Sequence, residues 1–149
     1  MREGGGKGYR FVGHTADIAF VANGRTPADL LRNSLLAMFD AMAYQDRVRM
    51  DASRPCSMAL RSSGSSLEET LWKLLQAALS HADAKNMFPY AVESISCSSG
   101  PRGYKARAVC KGREKKPDSG KFDVKGVSRF GLVIREIKSG LEARVVLDV

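Results

Sequence analysis

The chain has 149 residues, of which 44% are hydrophobic, and a formal net charge of +8, values that fit one globular domain. No apolar run approaches the roughly 18–20 residues needed to span a bilayer, and no hydrophobic signal region precedes the first predicted strand, so we expect a cytoplasmic protein with no membrane partner. The spacing of Cys56, Cys97 and Cys110 excludes the usual zinc motifs and favours reduced thiols. We expect residues 1–8 to be a flexible lead and residues 9–149 to form a single domain.

The first predicted elements are a strand over residues 9–22 and a helix that follows a turn. Thr26 is a good N-cap, Pro27 suits the first helical position, and the acid Asp29 meets the positive end of the helix dipole. The apolar residues that recur behind them at helical spacing are Leu30, Leu31, Leu35, Met38, Phe39 and Met42. These residues predict an amphipathic helix that packs on a core.

The next part of the chain predicts a second helix between polar segments. Residues 45–53 are polar and basic and are expected to form a loop, residues 55–61 a short strand, and residues 62–66 a polar linker. Ser66 and Glu69 then form a capping box that begins the helix. Its apolar stripe comprises Leu67, Leu71, Leu74, Leu75, Ala78, Leu79 and Ala82.

Strand patterns dominate the second half of the chain. Strands are expected over residues 90–98 and 104–111, a charged loop over 112–120, and a hairpin of 122–137 with 141–149. Helices that come early and antiparallel strands that come late are typical of an α+β fold. We therefore expect two helices packed on one face of a mixed, largely antiparallel sheet.

Positive charge is concentrated in residues 102–138, which contain twelve Lys or Arg and four Asp or Glu. Several of these cations alternate along a predicted strand, which places them on one solvated face. Such a surface attracts polyanions or an acidic partner. One interpretation is therefore a stand-alone RNA-binding or chaperone-like module.

Polar residues interrupt the first and the last predicted strands, in FVGHTADIAF near the start and LDV at the end. If these strands are neighbours, Asp17 would join the side chain of Asp148 and the main-chain carboxylate of Val149. Oxygen ligands of this kind suit calcium or magnesium rather than zinc. The alternative is that both aspartates only cap strand ends and pair with nearby cations. The chain contains no GxxxxGK[ST], GxSxG or HExxH motif, which makes catalysis by this protein the less favoured class.

Four stretches of the chain carry a family resemblance. In chain order they are FVGHTADIAF, TPADLLRNSLLAMFDAM, SLEETLWKLLQAALSHADAKNMFP and VKGVSRFGLVIREIKSGLEARVVLDV. In this order the four stretches resemble archeases, small proteins that assist the RtcB-type tRNA-splicing RNA ligase. The resemblance implies an activator without catalytic activity of its own. It would promote guanylylation of the ligase's active-site histidine and multiple turnover, with indirect or weak contact to tRNA.

The resemblance also implies a metal site. Archeases bind a divalent cation, typically calcium with magnesium or manganese as alternatives, and the matching ligands here are Asp17, Asp148 and Val149. His14 and Thr15 of the same HTAD motif are expected to orient Asp17 rather than to bind the metal themselves.

A family lysine falls on Lys125, where it implies a contact with the ligase, its nucleotide or a phosphate. Archeases commonly read close to KAVTYH from this lysine onward. The chain departs from that pattern at Ser128, Arg129 and Phe130.

Overall fold

The computed structural model describes residues 7–12 and 17–149, which form an α+β fold, as predicted. No helix in these residues is long and apolar enough to cross a membrane. A short 3₁₀ turn at Pro117–Ser119 precedes the last three strands. In chain order the elements are β1 Tyr9–Val12, β2 Ile18–Gly24, α1 Pro27–Met42, α2 Gln45–Met50, β3 Cys56–Gly64, α3 Leu67–Ala84, β4 Met87–Gly100, β5 Gly103–Glu114, β6 Gly126–Val127, β7 Val133–Ile137 and β8 Gly140–Asp148.

The strands divide into two sheets rather than the one sheet expected. The first sheet has the order β1-β2-β8, with β6 and β7 both paired to the remaining edge of β8. The second has the order β3-β5-β4. Every strand pair within the described residues is antiparallel, so the predicted mixed character is not found there. Helix α1 packs on β2 and β4 and therefore joins the two sheets, while α3 packs on β3.

Both long helices begin where the sequence predicts. Thr26 Oγ1 accepts a hydrogen bond from the amide of Asp29 (3.2 Å), and Pro27 occupies the first turn. Ser66 Oγ likewise accepts from the amide of Glu69 (3.1 Å). The carboxylate of Glu69, however, accepts from the amide of Ser65 (2.8 Å), so the return bond of the capping box is displaced by one residue. This backbone hydrogen bond is the main reason why the pKa of Glu69 lies below its usual value.

Apolar residues from both helices meet the inner faces of both sheets in one core. The methionines of α1 belong to it, as expected from their spacing. Its largest fully buried side chains are Phe20, Leu30, Leu31, Leu35, Met38, Phe39, Met58, Leu71, Leu74, Leu75, Met87 and Leu147. The core thus fixes β2 and β8, the two strands that lead to the predicted metal ligands.

The prediction of one strand over residues 9–22 is wrong. The chain reverses within this stretch, and β1 pairs antiparallel with β2 from Tyr9 opposite Ala22 to Val12 opposite Ala19. Ala19, Phe20, Val21 and Ala22 are all buried, so β2 shows no alternation that would mark it off from β1 in the sequence. Residues 13–16, which contain His14 and Thr15, lie outside the described residues.

The bounds or type of three polar segments were predicted wrongly. Residues 45–53 contain the short helix α2, which buries only Val48 and so leaves little periodic signal. Residues 62–66 are not all linker, because β3 continues to Gly64 beside the long strand β5. The loop predicted over residues 112–120 begins later than expected, because β5 extends to Glu114.

The predicted strand over residues 122–137 is interrupted. β6 pairs with the end of β8, and β7 pairs with its beginning, but the register changes by three residues between them. Residues 128–132 form the resulting bulge, and Leu132 in this bulge is buried in the core. The hairpin with β8 is therefore confirmed for β7 alone, where Ile137 pairs with Gly140.

Candidate metal and partner site at the end of the first sheet

The last residue pair of the ladder between β2 and β8 is Ile18 opposite Leu147. Asp17 directly precedes β2, and a continuation of this antiparallel register by one residue would set it across from Asp148. Directly opposed residues share a face of a sheet, and their Cβ atoms lie about 4.5–5.5 Å apart. The pairing therefore brings the two strands next to Asp17 and Asp148, which are distant in sequence, to the same end of the sheet.

The other side of Asp148 is formed by β6. Gly126 pairs with Asp148, and the amide of Lys125 donates a hydrogen bond to the carbonyl of Asp148 (2.8 Å). A Cβ atom at Gly126 would lie 3.5 Å from Asp148 Oδ2 and 3.8 Å from Gln76 Oε1. Because glycine has no side chain, both oxygens border the same open space.

Helix α3 holds β6 in position through both backbone polar groups of one residue. Gln76 Oε1 accepts a hydrogen bond from the amide of Val127 (2.8 Å). Trp72 Nε1 donates to the carbonyl of Val127 (2.8 Å). Sequence reasoning missed Gln76 and Gly126, and no local signal marks them, because their position depends on the long-range pairing of β6 with β8.

The alternative of a structural ion pair at the two aspartates finds no support in the described residues. The ion pairs found among residues 7–12 and 17–149, with N–O distances up to 4.0 Å, include neither Asp17 nor Asp148. Asp148 is exposed. Within the described part of the chain, no three His, Cys, Asp or Glu side chains are grouped for metal binding. An ion here would therefore need main-chain oxygens, such as those of Val149, beside two carboxylates, and such an oxygen-only set fits calcium or magnesium.

Lys125 is exposed next to this site and lines an open cavity of about 610 Å³. Lys115 and Lys121 line the same cavity, but each lies near an acid: Lys115 Nζ is 3.7 Å from Asp83, and Lys121 Nζ is 3.2 Å from Asp40. Lys125 takes no part in the ion pairs that the structure describes. Its charge is therefore available to an incoming anion.

The departures from the family pattern lie in the bulge between β6 and β7. The amide of Ser128 donates a hydrogen bond to the carbonyl of Val146 (2.9 Å), so the bulge begins beside the end of β8. The guanidinium of Arg129 lies 5.9 Å from the ring centre of Trp72. Phe130 is 97% exposed. The bulge beside the end of β8 therefore carries an aromatic side chain that is almost fully exposed.

The model of the archease protein family matches residues 9–149. The chain belongs to the archease family. Relatives named protein archease include that of Methanosarcina acetivorans, 31% identical over 146 residues, and that of Methanosarcina mazei, 30% identical over 146 residues; each alignment covers 97% of both chains. These matches confirm the resemblance that the sequence motifs indicated.

Two solved structures are similar to this archease. The solution structure of protein 1598 from Methanobacterium thermoautotrophicum aligns with a TM-score of 0.74 and 25% identity over 95% of this chain and 99% of that one. The crystal structure of an archease from Thermotoga maritima, described as a possible chaperone, aligns with a TM-score of 0.61 over 93% and 94% of the two chains. At 14% identity, the second likeness shows the fold alone.

Proposed function

We propose that this archease activates an RtcB-type tRNA-splicing ligase in the cytoplasm by promoting its guanylylation and multiple turnover. The ligase performs the chemistry, and the archease has no catalytic activity of its own. The observation that carries the proposal is the pairing of β2 with β8, which ends at Ile18 opposite Leu147, one residue before Asp17 and Asp148. Membership of the archease family supports the choice of partner.

Within this proposal, Asp17, Asp148 and a main-chain oxygen of Val149 hold one divalent cation, with calcium preferred over magnesium or manganese. Two facing carboxylates repel each other, and a bound cation offsets that repulsion. The bound ion supplies concentrated positive charge at the end of the sheet. His14 and Thr15 would orient the Asp17 carboxylate.

The ligase would contact Asp17, Asp148 and the bulge at residues 128–132 together. Phe130 offers the kind of aromatic anchor that often carries the binding energy of a protein interface. Lys125 adds a cation beside the aspartates, suited to a phosphate of the nucleotide or of the RNA end. Apolar, basic and acidic groups are therefore available within one small surface.

A ligation assay with limiting ligase tests this function. RNA ends bearing a 2′,3′-cyclic phosphate and a 5′-hydroxyl are incubated with ligase, GTP and either wild-type archease or the D148N variant. We expect several turnovers with the wild type and about one with D148N. The matched control is E136Q, which removes one exposed carboxylate from β7 of the same sheet. Equal turnover with and without wild-type archease would reject the proposal.

A further inference from the structure

The second sheet has a solvent-exposed face that is basic and rich in serine. Its central strand, β5, turns Ala106, Ala108 and Cys110 to the core, so the alternate residues face outward. The cross-strand rows on the outward face are Ser63–Lys105–Ser98, Arg61–Arg107–Ser96, Ala59–Val109–Ser94 and Ser57–Lys111–Ala91. We call these residues the serine–arginine face.

One cross-strand pair on this face is unfavourable. Arg61 and Arg107 are directly opposed, and both are exposed. Like charges in this arrangement destabilise an antiparallel pair of strands. Lys105 occupies the adjacent row of the same face and adds to the repulsion.

Few acids offset this charge. The ion pairs that the structure describes include Lys111 with Glu93 (3.3 Å), but they include neither Arg61, Arg107 nor Lys105. Basic groups held close together without counter-charges are a typical feature of surfaces that bind polyanions.

We propose that the serine–arginine face binds the phosphate backbone of RNA, preferentially a base-paired stem. Arginine, lysine and serine side chains are among the usual donors to phosphate oxygens. In the described residues, none of the exposed large hydrophobic side chains lies on this face. An acidic protein partner would need apolar or aromatic anchors, and single-stranded bases would need aromatic platforms.

The face lies on the second sheet, whereas Asp17 and Asp148 belong to the end of the first. The inference therefore does not depend on the proposed activation of a ligase. Backbone contacts carry no sequence information, so we expect recognition of RNA shape and charge rather than of a sequence.

Fluorescence anisotropy with a labelled RNA hairpin tests the inference in the full-length protein. We compare the wild type with R61Q/R107Q and with the matched control R10Q/R144Q, which removes two exposed arginines from the first sheet. We expect R61Q/R107Q to weaken binding about tenfold or more. It should also reduce the slope of log K against log salt concentration by about 2. The control should stay within about twofold of the wild type, as expected for charges that touch no phosphate.

The R107E variant separates RNA binding from folding. An acid opposite Arg61 replaces a repulsive pair by an attractive one, so thermal unfolding should occur at the wild-type temperature or above it while RNA binding is lost. Two results would overturn the inference. One is an equal loss of RNA affinity in R61Q/R107Q and R10Q/R144Q. The other is that at low salt the wild type binds poly-glutamate but does not bind the RNA hairpin.

Discussion

Ile18 and Leu147 close the ladder between β2 and β8, and Leu147 is fully buried. The core therefore fixes the register one residue before the two aspartates. A slip of one residue would turn Leu147 to solvent, which would cost about 1.5–3 kcal/mol for the lost burial alone. Hydrophobic packing thus fixes the residue pair that directly precedes Asp17 and Asp148, and in the described residues neither aspartate takes part in an ion pair.

Replacing Trp72 with phenylalanine should loosen β6. The change removes the donor to the carbonyl of Val127, and we expect the free energy of unfolding to fall by about 1 kcal/mol. Urea denaturation measures this loss, and hydrogen exchange should report faster opening of β6. The control is K73Q, at an exposed position of the same helix, which should change stability by less than about 0.5 kcal/mol. Equal stability of W72F and the wild type would contradict this role.

Replacing Phe130 with alanine should separate stability from partner binding. Because the side chain is 97% exposed, the free energy of unfolding should change by less than about 0.5 kcal/mol. In the ligation assay, however, the concentration of archease needed for half-maximal turnover should rise about tenfold or more, as for a central interface anchor. V133A shortens another exposed apolar side chain nearby and serves as the control. An unchanged F130A titration would remove the bulge from the proposed interface.

Cys110 should make the stability depend on pH in the alkaline range. Burial raises the pKa of the Cys110 thiol from 9.0 to about 12. Since the folded state holds this proton more tightly than the unfolded chain does, the contribution is complete below pH 9 and is lost as the pH rises towards 12. Under reducing conditions, urea unfolding at pH 8 and pH 10 should therefore show a larger loss for the wild type than for C110A. Identical losses in the two proteins would show that the buried thiol contributes nothing.

The helices were predictable because their signals are local. Thr26, Pro27 and Asp29 mark the start of α1 within four residues, and the buried stripe repeats along one face. The same is true of α3, although the carboxylate of Glu69 binds Ser65 rather than the expected Ser66 amide. Short α2 escaped prediction because six residues with one buried side chain, Val48, do not establish a period.

The strand errors arise because partners and registers are long-range properties. Residues 9–22 carry one apolar pattern, yet β1 and β2 are two strands folded against each other. Likewise, residues 122–137 show no local sign that the register beside β8 changes by three residues. The sequence indicated Asp17 and Asp148 as a pair only through the family resemblance and the condition that their strands are neighbours. The structure shows that β2 and β8 are neighbours.

The most direct test of the account is a calcium titration followed by thermal unfolding of the wild type, D17N, D148N and E136Q. Starting from chelator-treated protein, calcium should raise the unfolding temperature of the wild type and E136Q. A free concentration of 100 times the Kd would stabilise them by about 2.7 kcal/mol. D17N and D148N should show little shift, and without calcium they should be at least as stable as the wild type, because one of two facing charges is gone. Equal calcium shifts in all four proteins, or no shift in the wild type at millimolar calcium, would contradict a cation site between Asp17 and Asp148.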